Sequence, residues 1–353
     1  MNQNKNIFIK NIYYMLSYAF TNLKQGDYAN IDKEDFDNIH DLFAAILSKG
    51  ISRQLKQGLY KEYFNKKEDV AVVRGKIDIQ GTIKNKLNRR KNLTCEYDEL
   101  SENNLLNQIL KTTVMLLLRH KDVKPQYKDD MKKQILFFSN VDNIDPNTIR
   151  WSTIRFQRNN NTYRMLISIC QLILEGMLLT TDSGEYKLAS FLDEQRMSRL
   201  YEKFILEYYK KECPQVHATA SHISWAIDDG VGTMLPVMKS DIMLTKENEV
   251  LIIEAKYYSY VTQKIYNTHT IHSHNLYQIF AYVKNKTLEF GDKPQKVSGM
   301  LLYAATVEKI QPDNVYQLSG NQISVRTLDL NNDFSQIKKQ LNFIVEEHFG
   351  KCN

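Results

Sequence analysis

The sequence predicts an α/β protein in two parts, on three observations. Apolar residues recur at helical spacing in several stretches along the chain. Short runs of β-favouring residues interrupt them, most clearly at Val250–Ile253. Between residues 142 and 153 both patterns lapse into a polar stretch holding Pro146 and several asparagines, the best candidate for a boundary. A chain of 353 residues suits two domains, expected here as 1–150 and 151–353. At 42% apolar and 25% charged residues it has the composition of an ordinary folded protein.

In chain order, apolar residues at 9, 12, 13, 15, 16, 19 and 20 predict a helix over Ile7–Phe20, and Ile39–Leu55 repeats the pattern. Val70–Val73 reads as a short strand. Arg74–Ile79 follows with alternation at its end, and Leu93–Tyr97 is strand-like, so residues 77–97 predict a hairpin with a basic tip. Leu105–His120 is a strong helix with Ser101 or Asn103 as candidate cap, and Met131–Phe138 a short one. Past the boundary come helices at Tyr163–Leu179 and Met197–Cys213. Strands follow at Val237–Leu244 and Val250–Tyr257, joined by the turn Lys246–Glu249. A helix at His274–Val283, strands at Val297–Ala304 and Ile323–Leu328, and a helix at Ile337–Phe349 complete a mixed α/β module.

The net charge of +6 is uneven. Residues 1–150 hold 25 lysines and arginines against 19 acids, whereas 151–353 hold 22 of each. Lys84, Lys86, Arg89, Arg90 and Lys91 cluster where no acid occurs from 79 to 95. Such a patch suits phosphate backbones or an acidic partner, and equally a solvated loop. Cys95, Cys170, Cys213 and Cys352 show no paired spacing, which argues for reduced thiols and against structural zinc. The start of the chain has no apolar signal region, and Gln171 and Glu175 interrupt its greasiest stretch, so a cytoplasmic protein without a membrane span is expected. No GxxxxGK[ST] pattern occurs, so any nucleotide hydrolysis would belong to a partner.

The chemistry concentrates at Asp241, Glu254 and Lys256. Val250–Ile253 reads as a buried strand that ends in an acid and a lysine. Strand alternation turns Glu254 and Lys256 to one face, and ionised groups there are costly unless paired, hydrated or metal-bound. Asp241 and Glu254 on neighbouring strands, with the carbonyl of Ala255, supply oxygens suited to Mg²⁺, and Lys256 can position or deprotonate an attacking water. The bare Asp/Glu-x-Lys pattern occurs four times, at Asp122, Asp130, Glu185 and Glu254, and only the last follows an apolar run with an aspartate on the preceding strand. A surface ion pair at a strand end is the competing reading.

Several weaker candidates surround this site. Gln278 and Tyr282 share a helix face that could reach DNA backbone or a metal-bound water, although taken alone a merely solvated polar face is the stronger reading. His269, His272 and His274 lack the further ligands of a zinc site. Glu202 and Glu207 are candidate auxiliary ligands or a solvated helix face. Tyr257, Tyr258, Tyr260, Tyr266, Tyr277 and Tyr282 suit a DNA groove or a core edge equally.

Motifs along nearly the whole chain resemble one family. Asn11–Ala19, Arg74–Asp78, Asn104–Lys111, Asp241–Ile242, Ile252–Tyr258 and Asn275–Gln278 stand in the order and spacing of the McrC family, nuclease subunits of McrBC modification-dependent restriction systems. The resemblance implies a C-terminal PD-(D/E)xK restriction-endonuclease-like domain in which Asp241 and Glu254 are the acids and Lys256 the lysine. Ser240 stands where the motif's name has proline. It implies Mg²⁺-dependent cutting of double-stranded modified (methylcytosine) DNA. It also implies a mixed α/β N-terminal domain that binds a McrB-type AAA+ ring and stimulates its GTP hydrolysis, the GTP being bound by that partner. The basic segment 77–97 is then a candidate for the ring's pore, and Arg74 and Lys76 for a neighbouring nucleotide site. Two other readings stay open from the residues alone: an adaptor of an AAA+ motor with a vestigial site, and a stand-alone repair nuclease.

Overall fold

A computed structural model describes residues 2–20, 23, 31, 34, 36–157, 160–180, 186–188, 192–258, 260, 262–265, 268–291, 295–306, 308 and 311–350. The chain opens with α1 (Asn2–Ala19) and α2 (Ile39–Leu55). It divides into two compact units, residues 43–189 and residues 1–42 with 190–353.

The first unit carries β1 (Glu62–Val70), β2 (Lys76–Ile77), α3 (Ile79–Leu87) and β3 (Leu93–Ser101). α4 (Leu105–Arg119), α5 (Pro125–Ile135), α6 (Asn161–Gly176) and the short ribbon β4 (Leu178–Thr180) with β5 (Tyr186–Leu188) follow. The sheet order is β1-β3-β2, and β1 pairs with β3 over nine residues. Residues 77–97 are thus no simple hairpin: a helix lies between the paired strands. Asp78 caps α3 by accepting from Gly81 N, and Asn85 and Thr82 hydrogen-bond Thr94. A Cβ on Gly81 would sit 2.6 Å from Thr94 Oγ1, so glycine lets the helix lie directly on β3. The strand expected at Val70–Val73 lies earlier, because its hydrogen-bonding partner β3 runs out at Leu93 opposite Val70. α4 is capped by Asn104, which accepts from Asn107 N, rather than by Asn103 or Ser101.

The boundary expected near 150 is corrected. The polar stretch after residue 141 is a loop pinned to α4: Lys111 Nζ donates to the Val141 carbonyl, Thr112 Oγ1 accepts from Ile144 N, and Asn103 Oδ1 accepts from Asp142 N. α6 belongs with the same unit, since Tyr163 OH donates to Asn107 Oδ1 and accepts from Tyr60 N. α1 belongs with the C-terminal elements, where Asn11 Nδ2 donates to the carbonyls of Leu330 and Asn332.

The second unit continues with α7 (Glu194–Glu212), β6 (His217–Thr219), β7 (His222–Ile223), β8 (Met238–Lys239), β9 (Ile242–Lys246) and β10 (Glu249–Lys256). β11 (Thr262–Ile265), β12 (Thr268–Ile271), α8 (Ser273–Glu289), β13 (Lys296–Ala304), β14 (Asn314–Leu318), β15 (Asn321–Leu328) and α9 (Phe334–Phe349) follow. Six strands form one mixed sheet in the order β14-β15-β13-β10-β9-β6, in which β10, β13 and β15 run parallel. Alternation divides the central strand. Val250 and Ile252 join Leu301, Tyr303, Ile323 and Val325 in a core closed by Ile279 and Val283 of α8. Leu251, Ile253 and Ala255 are buried on the opposite face, and α7 packs against this strand. Each fully buried aliphatic side chain contributes ~1.5–3 kcal/mol. Gly299 of β13 permits the close approach of α8, since a Cβ there would lie 2.7 Å from Ile279. Among the described residues no helix is long and apolar enough to cross a membrane.

Candidate active site

Glu254 and Lys256 continue the face that carries Val250 and Ile252, so the core stripe of β10 ends in two ionisable groups beside α8. Asp241 stands immediately before β9, whose pairing with β10 stops at Ile242–Ile253. Where that ladder ends, side chains take over. Ala255 N donates to Asp241 Oδ2 at 3.0 Å, and Asp241 N donates to Glu254 Oε1 at 3.3 Å. Ser240 fixes the approach by donating both its N–H and its hydroxyl to the Ser221 carbonyl. A strand residue directs its N–H and C=O to one side, so the Ala255 carbonyl is aimed toward Asp241 as well.

The structure brings the expected residues together. Lys256 Nζ lies 2.8 Å from Glu254 Oε2, 3.9 Å from Asp241 Oδ2 and 3.2 Å from Gln278 Oε1. Glu254 is fully buried, and its carboxyl is pushed up to about 7, first by burial and then by the negative charge of Asp241, with Lys256 opposing. Burial also raises Asp241, again against the pull of Lys256. Burial works against the Lys256 ammonium, but Glu254 and Asp241 outweigh it and hold its pKa above the usual value. The two carboxylates thus favour the charged form of this lysine, which suits it to orienting water and offsetting negative charge.

Glu202 on α7 belongs to this environment: burial and the charge of Asp241 both raise its pKa. Glu207 instead pairs with Lys210 at 2.8 Å. The two helix acids are alike in composition, and only the helical phase of α7 separates them. Sequence reasoning did not foresee how α8 is held. Gln278 Nε2 donates to Tyr282 OH at 3.1 Å, and Asn275 bridges Tyr258 and Tyr303. The i, i+4 spacing of Gln278 and Tyr282 signalled the first of these, while nothing in the sequence singled out Tyr303. Tyr257 packs near Tyr201, and Tyr260 and Tyr277 are exposed. Tyr266 and the side chain of His269 lie outside the described residues. His272 and His274 pack ring to ring, and no metal-ligand cluster among the described residues includes them.

The buried Glu254 carboxyl, the partly buried Asp241 carboxyl whose charge raises it, and the Ala255 backbone carbonyl form an all-oxygen donor set. Such a set fits a hard divalent cation. Asp241, Glu254 and Ala255 would hold it, and Lys256 and Gln278 flank it.

The basic candidates fall in the unit of residues 43–189. Arg74 lies 4.0 Å over the Tyr97 ring and 3.7 Å from Glu99, and with Lys76 it lines a cavity of about 540 Å³. Lys84, Lys86, Arg89, Arg90 and Lys91 are all exposed on and after α3. The same helix exposes Ile79, Ile83 and Leu87, an apolar stripe at i, i+4 and i+8 that charge counting had overlooked.

Residues 2–304 match the family described as McrBC 5-methylcytosine restriction system component. The chain is 28% identical over 345 residues to the type IV methyl-directed restriction enzyme EcoKMcrBC of Escherichia coli K12, spanning 96% of this chain and 97% of that relative. Its fold is similar to a chain of the tetradecameric assembly of Thermococcus gammatolerans McrB AAA+ hexamers with bound McrC. That match has a TM-score of 0.54 at 19% identity and covers 95% of this chain and 76% of that one.

Proposed function

The chain belongs to the family of McrBC 5-methylcytosine restriction system components, and on that premise we propose that it is the DNA-cutting subunit of such a system. The observation that carries the reading is the convergence of Asp241, Glu254 and Lys256 within 3.9 Å of the lysine nitrogen, at the end of a central strand. A mixed sheet with helices on both faces and this triad at the strand end is the arrangement of a PD-(D/E)xK endonuclease, and we assign the unit of residues 1–42 and 190–353 to that fold. The reaction is hydrolysis of a DNA phosphodiester.

A bound Mg²⁺ would supply the charge that makes a water nucleophilic at neutral pH and offsets charge on the phosphorane. Asp241 and Glu254 would hold that cation through their carboxylate oxygens. Lys256 orients the attacking water and offsets developing charge on the phosphoryl oxygens. Gln278, held by Tyr282, keeps Lys256 in place and offers an amide toward the DNA backbone.

We assign the unit of residues 43–189 to partner binding. The similar solved assembly from Thermococcus gammatolerans holds McrC bound to McrB AAA+ hexamers, and here the partner would be a GTPase ring of that kind. The chain would stimulate its GTP hydrolysis, and the ring would deliver methylated DNA. The exposed apolar stripe of α3 beside Lys84, Lys86, Arg89, Arg90 and Lys91 is the surface offered to it, with Arg74 just before β2 and Lys76 on it. Calorimetry of Mg²⁺ with the purified chain tests the metal assignment: wild type binds with one site, and E254Q and D241N lose it. Equal binding by all three would remove Asp241 and Glu254 as ligands.

A further inference from the structure

We propose that Asn275 is a positioning residue of the nuclease site, the pin that sets α8 so that Gln278 meets Lys256; the proposal rests on the nuclease reading above. α8 packs against β13 and against β10, the strand that carries Glu254 and Lys256, yet its own N-cap contributes little. His272 makes no side-chain capping bond. Asn275, in the first turn, does the anchoring instead. It is 1% exposed, and its amide is used at both ends. Asn275 Nδ2 donates to Tyr303 OH at 2.9 Å, and its Oδ1 accepts from Tyr258 OH at 3.2 Å.

One phenol follows Lys256 just past the end of β10, and the other lies on the neighbouring strand β13. Tyr258 lies two residues beyond Lys256 along the chain. Tyr303 is its register partner on β13. One buried side chain therefore ties the start of α8 both to the chain just beyond Lys256 and to the residue paired with it on β13. Gln278 stands three residues further on the same helix face, where Oε1 accepts from Lys256 Nζ at 3.2 Å. Tyr282, one turn later, accepts from Gln278. Asn275, Gln278 and Tyr282 form one stripe along α8, and only Gln278 reaches the lysine.

The tolerance is small. A shift of α8 by about 1 Å would break a 3.2 Å hydrogen bond, and misplacement on that scale costs roughly 100-fold in rate. Lys256 would keep its ion pair with Glu254, so substrate and metal would still bind, and the loss would fall on turnover.

The test is single-turnover and steady-state cleavage of methylated duplex by the full chain assembled with its GTPase ring. N275A is expected to lower kcat by roughly 10- to 100-fold with KM within about twofold. Y258F, which removes one of the two bonds from a half-exposed phenol, is expected to show a smaller loss of the same kind and keeps the test available if N275A folds poorly. In a Q278A background both substitutions should cost less than twofold, since they act through Gln278. A merely structural role would instead give losses that multiply with Q278A. Such losses, or wild-type kcat in N275A and Y258F, would overturn the proposal. D241A beside them must be inactive. If D241A is inactive and N275A is not impaired, only the Asn275 role fails. If D241A cuts normally, the nuclease reading fails and takes this proposal with it.

Discussion

At the scale of single residues, the site stores an electrostatic conflict that a cation would resolve. Glu254 is ordinarily ionised above about 4.5, yet in the folded chain its carboxyl titrates near 7. The folded state therefore binds more protons than the unfolded state between these values. Stability from this group is fully present below about 4.5 and is lost as pH rises through about 7. Two outcomes follow. In chelator, E254Q melts higher than wild type at pH 8, while the two converge near pH 4.5. Mg²⁺ raises the melting temperature of wild type at pH 8 and leaves that of E254Q unchanged. Thermal melts at the two pH values read both, and a wild type more stable than E254Q at pH 8 in chelator would contradict this account. Glu254, Lys256 and Asp241 were legible in the sequence because an apolar strand has no reason to end in charge. Asn275 and Tyr303 were not, because a buried amide bridging two phenols leaves no periodic trace.

At the scale of elements, α8 decides whether the strand-end residues act together. It lies against β13 only because Gly299 has no side chain: an added Cβ would sit 2.7 Å from Ile279 and 2.8 Å from Val283. G299A is expected to cost about 1–3 kcal/mol in urea unfolding and to lower cleavage by displacing Gln278. An unchanged stability would show that α8 can retreat without loss. The central strands, α1, α2, α4 and α7 were readable from periodicity. The segment 77–97 was not, because alternation in Arg74–Ile79 looked like strand, whereas Asp78 is a helix cap and Gly81 is the contact that seats α3 on β3. Loss of that cap in D78A should cost on the order of 1 kcal/mol, read by chemical denaturation.

At the scale of the whole molecule, the division of charge follows the division of the fold. Residues 43–189 hold 25 lysines and arginines against 16 acids, and the remainder holds 22 against 25. The contrast is sharper than the one drawn at residue 150, because residues 1–42, with more acids than bases, belong with the other unit, and residues 151–189, with more bases than acids, belong with the basic one. The turn-forming composition after residue 141 marked a real break in secondary structure, but chain reversals and unit boundaries use the same residues. A unit with more acids than bases gains little non-specific affinity for DNA. The isolated chain should therefore bind unmodified duplex weakly, with dissociation constants above about 1 μM at physiological salt in a gel shift. Nanomolar binding would show that it needs no delivery. Reversing Lys84, Lys86, Arg89, Arg90 and Lys91 to glutamate should weaken assembly with the ring and its GTP hydrolysis while leaving Mg²⁺ binding intact. Calorimetry and a GTPase assay separate the two.

The most direct measurement is cleavage of a methylated duplex by the assembled complex carrying D241A or K256A, with ring assembly and GTP hydrolysis followed in the same samples. The prediction is that either substitution abolishes cutting while assembly and GTP hydrolysis stay at wild-type levels. DNA cut at the wild-type rate by both variants would contradict the assignment of Asp241, Glu254 and Lys256 as the cutting centre.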